Sequence, residues 1–339
     1  LHWCAAYKPR STGPALGRAA RAAACAVGDR ALRRILLVVF GQSNEQGSGE
    51  SPDANIGRGA PLRDPVAPMG SSSMRSMWPR LAERMAARDI WLDVSNTAVG
   101  GAGACATWAG FVRQWASGLV VPWGSYVRST DGGLWRANLA AGSVGTSTTE
   151  PSGTSNVTLN SIPWVYVGVA QASDADRTVY AFGSSRFDPA GYVAQAYNVA
   201  AAGLPNYDEV WLLVSIGQGD KTVGAVRAEY ASALRSVIDR CLPVVSKVWV
   251  GFTCYGATAG LDQWYTDHGL PGRDDVLAYY ASNPKVKAGS NLRASLGVLP
   301  VSPASKLTPG LKSDQLHMND AAYALASDAW DGTFAAAGY

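Results

Sequence analysis

Two apolar runs set the frame of the chain. Ile35-Leu36-Leu37-Val38-Val39-Phe40 is continuous, partly β-branched and stopped by Gly41, and Val210 to Ile216 has the same character and is stopped by Gly217. A strand with one wet face alternates apolar and polar residues, whereas unbroken runs of this length fit strands covered on both faces of a parallel sheet. Trp91–Thr97 and Val248–Phe252 predict two more strands. Helical spacing appears between them. Residues 72–88 predict a helix opening near Trp78-Pro79, since proline is tolerated in a first turn. Further helices are expected over 223–241, 274–282 and 320–336, and one at 15–33. Strands alternating with helices imply right-handed βαβ units and a three-layer α/β domain built on a parallel sheet.

One stretch breaks the rhythm. From Leu119 to Val169 the chain turns rich in Gly, Ser, Thr, Trp and Tyr, with short strand-like pieces such as Gly133-Leu134-Trp135-Arg136-Ala137. A small antiparallel β unit inserted in the α/β domain fits this pattern. The expected organisation is an N-terminal extension over 1–34, a main domain over 35–118 and 170–339, and a β-rich insertion over 119–169. The extension is rich in Ala and Arg, and its arginines interrupt any signal-type apolar core. An upstream extension is the simpler reading of it and a targeting peptide the lesser one.

Composition narrows the function classes. Apolar residues make up 47% of 339 and charged residues 16%, enough apolar content for a large core. The net charge of +3 provides no broad basic footprint for nucleic acid. No apolar run approaches the ~18–20 residues of a membrane-spanning helix. Five cysteines (Cys4, Cys25, Cys105, Cys241, Cys254) form no CxxC pair, and three scattered histidines (His2, His268, His317) argue against a metal centre. Neither a metal nor a cofactor is expected. A Cys241–Cys254 disulfide and buried free thiols are both open, the thiols being the simpler case.

The candidate chemistry sits where each strand ends. Gly41-Gln42-Ser43-Asn44 follows the first strand, Asn96-Thr97-Ala98-Val99-Gly100-Gly101 the second and Gly217-Gln218-Gly219-Asp220 the third, while Asp314-Gln315-Leu316-His317 precedes the last helix. Ligands of open parallel sheets bind outside the carboxyl ends of the strands, so these loops share one edge. Each motif alone is ordinary loop material, and a lone serine such as Ser43 is usually a turn or cap residue. Together they carry a chemistry. A serine hydroxyl attacks esters once an imidazole takes its proton, and an aspartate three residues before a histidine can orient that imidazole. His268, in Tyr265-Thr266-Asp267-His268-Gly269, has no matching block and is expected on a surface loop.

The four motifs in this order resemble the SGNH hydrolases, in particular the sialate O-acetylesterase-like branch of carbohydrate esterases whose nucleophile block is GQSN. The resemblance covers about 35–110 and 207–330 and implies a flavodoxin-like α/β fold. It also implies Ser43 as nucleophile, with His317 as base and Asp314 as its orienting acid. For the oxyanion it implies the Ser43 backbone N–H, a backbone N–H from the Gly100-Gly101 pair (Gly101 first, Gly100 close behind) and the side-chain amide of Gln218. The third block departs from the family: Gly219 stands in place of the usual asparagine, and Asp220 is shorter than the branch's glutamate. Ala322 replaces a common glycine after the histidine block. Trp108 matches an aromatic of the branch that walls the acyl pocket, although core packing explains it equally well.

The resemblance implies hydrolysis of short-chain, acetyl esters, with an acetylated carbohydrate or other small ester as substrate. An SGNH lipase or thioesterase acting on longer chains is one alternative. A non-catalytic glycan-binding protein of phage-tail type, on a virion or outside the cell, is the other. The aromatics of the insertion, Trp123, Tyr126, Trp135, Trp164 and Tyr166, read either as its miniature core or as a sugar-stacking platform on which Trp135 and Trp164 touch substrate. Asn156-Val157-Thr158 fits a glycosylation acceptor but arises readily by chance in such a composition.

Overall fold

The structure is a computed structural model that describes residues 33–41, 76–98, 103–105, 112–122, 125–140, 143–169, 192–222, 225–252, 260–295 and 317–339. The expected helix at 15–33 lies outside them. In chain order the elements are β1 (Arg33–Gly41), α1 (Trp78–Ala86) and β2 (Ile90–Asn96), then β3 (Val112–Gln114), β4 (Leu119–Pro122), β5 (Tyr126–Arg128), β6 (Gly133–Ala137), β7 (Val144–Ser147), β8 (Val157–Leu159) and β9 (Ile162–Val169). The α/β pattern then resumes with α2 (Tyr192–Gly203), β10 (Glu209–Ser215), α3 (Gln218–Thr222), α4 (Arg227–Cys241) and β11 (Lys247–Phe252). The last part holds α5 (Leu261–Trp264), a π turn over Tyr265–Gly269, α6 (Leu270–Tyr279), β12 (Val286–Asn291), α7 (Leu292–Ser295) and α8 (Asp320–Ala336).

Five parallel strands form the central sheet in the order β12-β11-β10-β1-β2. Counted along the chain this is 2-1-3-4-5, the flavodoxin-like order, whose switch point lies between β1 and β10. Alternate residues of β1 feed opposite faces, as the pleat requires. Leu36, Val38 and Phe40 pack with α2 and α4, while Ile35, Leu37 and Val39 pack with α1 and α8. Both faces are covered, and the domain has three layers.

Two parts of the sheet domain carry no apolar run and are invisible to pattern reading. β12 is an edge strand whose Lys287 and Ala288 are exposed, so it presents no continuous apolar signal. α2 holds five alanines and two valines among its twelve residues, too little bulk for a clear helical stripe, and its Ala196 and Ala200 lie in the core with β1 and β10. His268 is corrected: it lies half-buried in the π turn rather than on a loop, since the Leu270 N–H reaches back to the Tyr265 carbonyl and winds the segment into the helix.

The β unit starts at Val112, earlier than composition suggests, and β3 pairs parallel with β5, while its other pairs are antiparallel. Its core is Val121, Val127, Trp135, Ala137, Ile162 and Trp164, each no more than 1% exposed. The Trp135 indole donates to Ser129 Oγ at 3.0 Å and meets Tyr166 edge-on at 5.1 Å. Cys105 and Cys241 are buried free thiols, so Cys241 forms no disulfide, and burial pushes its thiol up to about 12. Cys254 lies outside the described residues.

Candidate active site

In open α/β sheets ligands bind outside the carboxyl ends of the strands at the switch point, which here lies between β1 and β10. The loop carrying Ser43 leaves from Gly41, the last residue of β1, and the block containing Gln218 leaves from the end of β10. β2, on the other side of β1, leads into the segment that carries Gly100 and Gly101. Three of the four motifs therefore leave from three adjacent strands.

The fourth reaches the same edge along α8. At its far end, Tyr339 donates its hydroxyl toward Glu209 (3.2 Å to the nearer oxygen) and lies beneath the guanidinium of Arg33 (4.6 Å) and the ammonium of Lys247 (5.2 Å). Arg33, Glu209 and Lys247 stand at the amino ends of β1, β10 and β11. α8 thus ends at the amino edge of the sheet. Its 17 residues span about 25 Å at 1.5 Å each, and a seven-residue strand spans about 23 Å. Its first turn consequently lies at the carboxyl edge. His317 is half-buried just before that turn, with Met318 inserted into the core between α1 and α8. Asn319 caps the helix by accepting from the Ala322 N–H at 3.0 Å. Ser43, Gly101, Trp108 and Asp314 lie outside the described residues, as does the side chain of Gln218.

The described segments beyond the carboxyl ends of these strands are tied to one another. Thr97 Oγ donates to the Val39 carbonyl at 2.7 Å and joins the end of β2 to that of β1. Tyr230 donates its hydroxyl to the Ile216 carbonyl at 2.6 Å, and the Trp264 indole donates to the Ala225 carbonyl at 2.6 Å. α3 begins with the Asp220 and Lys221 N–H groups both donating to the Gly217 carbonyl.

Asp220 is the feature that sequence reasoning missed. Its side chain is wholly buried and accepts from the Ala104 N–H at 3.0 Å and the Cys105 N–H at 2.8 Å, one amide on each carboxylate oxygen. Burial pushes this carboxyl up to about 6 against the opposing pull of those two amides. Gly103 belongs to the same contact, because a Cβ there would lie 3.1 Å from Asp220 Oδ1 and 3.1 Å from the Gly219 carbonyl carbon. The only sequence signal was the acid after Gly219, at the position where the block departs from its family.

Trp135 and Trp164 are corrected as substrate contacts. At 0% and 1% exposure they present no face to a sugar, because the small unit has to spend its largest apolar side chains on its own core. Farther along the carboxyl edge, beyond β11 and β12, a cleft of about 560 Å³ is lined by Phe252, Tyr265, Leu270, Asp274, Asn291 and Arg293, among others. Among the described residues no group of three His, Cys, Asp or Glu side chains could hold a metal ion. No described helix is long and apolar enough to cross a membrane.

No family model matches the chain, and no curated protein does. Among solved structures, the chain is similar to a member of the lipolytic G-D-S-L family from Veillonella parvula at 11% identity, over 89% of this chain and 98% of that one, with a TM-score of 0.42. It is similar also to acetylxylan esterase Axe2 from Geobacillus stearothermophilus. A catalytic variant of Axe2 matches at 12% identity over 88% and 93% of the two chains (TM-score 0.43), and Axe2 itself at 13% over 87% and 91% (TM-score 0.39). Likenesses at this level carry no conclusion about what this chain acts on.

Proposed function

We propose that the chain is a serine ester hydrolase that cleaves short acyl esters, acetyl groups on a carbohydrate being the substrate class. The observation that carries the reading is the sheet order: the strands flanking the switch point are the two that lead into the blocks of Ser43 and Gln218, and the helix preceded by His317 starts at the same edge. Ser43 Oγ attacks the ester carbonyl while His317 takes its proton. Asp314 holds the imidazole in the productive tautomer and balances the imidazolium. The alcohol leaves with the proton from His317, and an acyl-enzyme remains on Ser43. His317 then deprotonates water, which releases acetate and restores the serine. The oxyanion receives hydrogen bonds from the Ser43 and Gly101 backbone N–H groups and the Gln218 amide. The carbohydrate assignment rests on the GQSN resemblance, since Trp135 and Trp164 no longer support it.

Turnover of nitrophenyl acetate and nitrophenyl octanoate by the parent, Ser43→Ala and His317→Ala proteins tests the reading. The acetate should be hydrolysed faster than the octanoate, and each substitution should lower turnover roughly 10³-fold or more. Near-normal turnover by purified Ser43→Ala would end the proposal. Preference for octanoate would move it to a lipase or thioesterase. Absence of hydrolysis in the parent, with retained glycan binding, would favour the non-catalytic alternative.

A further inference from the structure

β2 and β10 are the two neighbours of β1 in the sheet, and one buried carboxylate joins the segments that follow them. Gly103, Ala104 and Cys105 start two residues beyond Gly101, and Asp220 stands two residues beyond Gln218. The two residues assigned as oxyanion donors besides Ser43 therefore each stand within four positions in sequence of this single contact. A carboxylate accepting two backbone N–H groups on separate oxygens constrains both distance and tilt, which one neutral hydrogen bond does not. Gly103 lets the backbones meet closely enough for it to form.

We infer that Asp220 is a positioning residue of the oxyanion site, which sets the loop carrying Gly101 against the turn carrying Gln218 by binding the Ala104 and Cys105 amides. The inference rests on the serine esterase reading and deepens it. Asp220 touches neither substrate nor reacting atoms; it acts through the two donors. Donors of this kind work only when they already point to where negative charge develops, so a small displacement of the loop weakens transition-state binding while leaving ground-state binding nearly intact. The contact also accounts for the unusual third block. With glycine at 219 the side chain usual at that position is missing, and the acid that follows holds the neighbouring segment instead.

The variant that isolates this role is Asp220→Asn. It keeps the size of the side chain but places an NH₂ where one oxygen accepts, so one amide N–H meets a donor. Active sites are first counted by titration with a fluorophosphonate, so that misfolded protein does not enter the rate. Per titrated site, kcat on nitrophenyl acetate should fall about 10- to 100-fold, with KM within roughly threefold. Hydrogen exchange at the amides of Ala104 and Cys105 should speed up in the same protein. Asp220→Ala leaves two buried N–H groups unpaired and destabilises the fold itself, so its result is read only alongside the asparagine variant. A kcat per titrated site within twofold of the parent overturns the inference, whatever the exchange shows. An equal loss through KM alone also overturns it, because that would mark a binding contact. Failure of the esterase reading itself would show separately, as a parent protein that neither turns over the ester nor reacts at Ser43 with the fluorophosphonate.

Discussion

Asp220 is a buried carboxyl whose ionised form is held at a cost in stability. Its carboxyl is raised from the ordinary 3.8 to about 6 by burial, so the folded state holds its proton more tightly than the unfolded chain. A raised folded value means that the contribution to stability is full below the unfolded value and is lost as pH rises through about 6. At 1.36 kcal/mol per pH unit, the difference is on the order of 3 kcal/mol. The stability of the parent relative to Asp220→Asn should therefore fall between pH 4 and pH 7, as read by urea denaturation at both values. A constant difference would mean that the group is not ionising inside the fold. The proposed positioning role calls for the opposite state, since the ionised form is the better acceptor for both amides. Gly103→Ala perturbs the same contact from the other side. A Cβ 3.1 Å from Asp220 Oδ1 and the Gly219 backbone has to push one segment away. A loss of about 1–3 kcal/mol in stability is expected, with a larger proportional loss of kcat than of KM. Gln218→Ala should lower kcat on the order of 10²-fold with little change in KM; an unchanged kcat in folded protein would move the third donor elsewhere.

At the scale of elements, α8 joins packing to chemistry. Trp330 lies against the backbone of β11 and β12, where a Cβ on Gly289 would meet its indole at 2.6 Å and the Gly251 backbone at 2.7 Å. Trp211, Trp249, Phe334 and Tyr339 complete an aromatic layer with ring centroids 4.6–6.4 Å apart beneath the helix. Gly289→Ala should shift α8 outward and take His317 with it, lowering the melting temperature and esterase activity together. Arg84 with Asp328 (2.5 Å) and Arg88 with Asp331 (2.5 Å) also bind α8 to α1, but these groups are 14–38% exposed. Such pairs contribute about 0–1 kcal/mol each, so Arg84→Ala should leave the melting temperature nearly unchanged. In the β unit, Trp135→Ala and Trp164→Ala should each cost about 3–5 kcal/mol of the unit's stability. Calorimetry should show early melting for both.

For the whole molecule, the β unit is an elaboration of the β2-to-α2 connection and has a core of its own. Replacing 112–169 by a short Gly/Ser linker should leave hydrolysis of nitrophenyl acetate within a few-fold of the parent. If activity on an acetylated polymer falls much further, the unit assists with extended substrates by some surface other than Trp135 and Trp164. Prolonged incubation with a chelator should leave turnover intact, because the proposed mechanism uses only Ser43, Asp314, His317 and hydrogen-bond donors; a loss restored by added zinc or calcium would contradict it.

The apolar runs of β1 and β10 identified buried parallel strands from sequence alone, because a strand covered on both faces has no polar positions to blur its pattern. Helix α8 was legible over its whole length, 320–336, and the structure adds the Asn319 cap. Three matters depended on the tertiary structure. β12 is recognisable only by its pairing with β11, because half of it faces water. Whether Trp135 and Trp164 form a platform or a core depends on which side of a pleated sheet is covered, and composition is the same either way. The part played by Asp220 depends on a contact between residues more than a hundred positions apart, which neither local spacing nor propensity encodes. Local pattern records what a residue's neighbours in sequence require, and the burial of a charge is decided by neighbours in space.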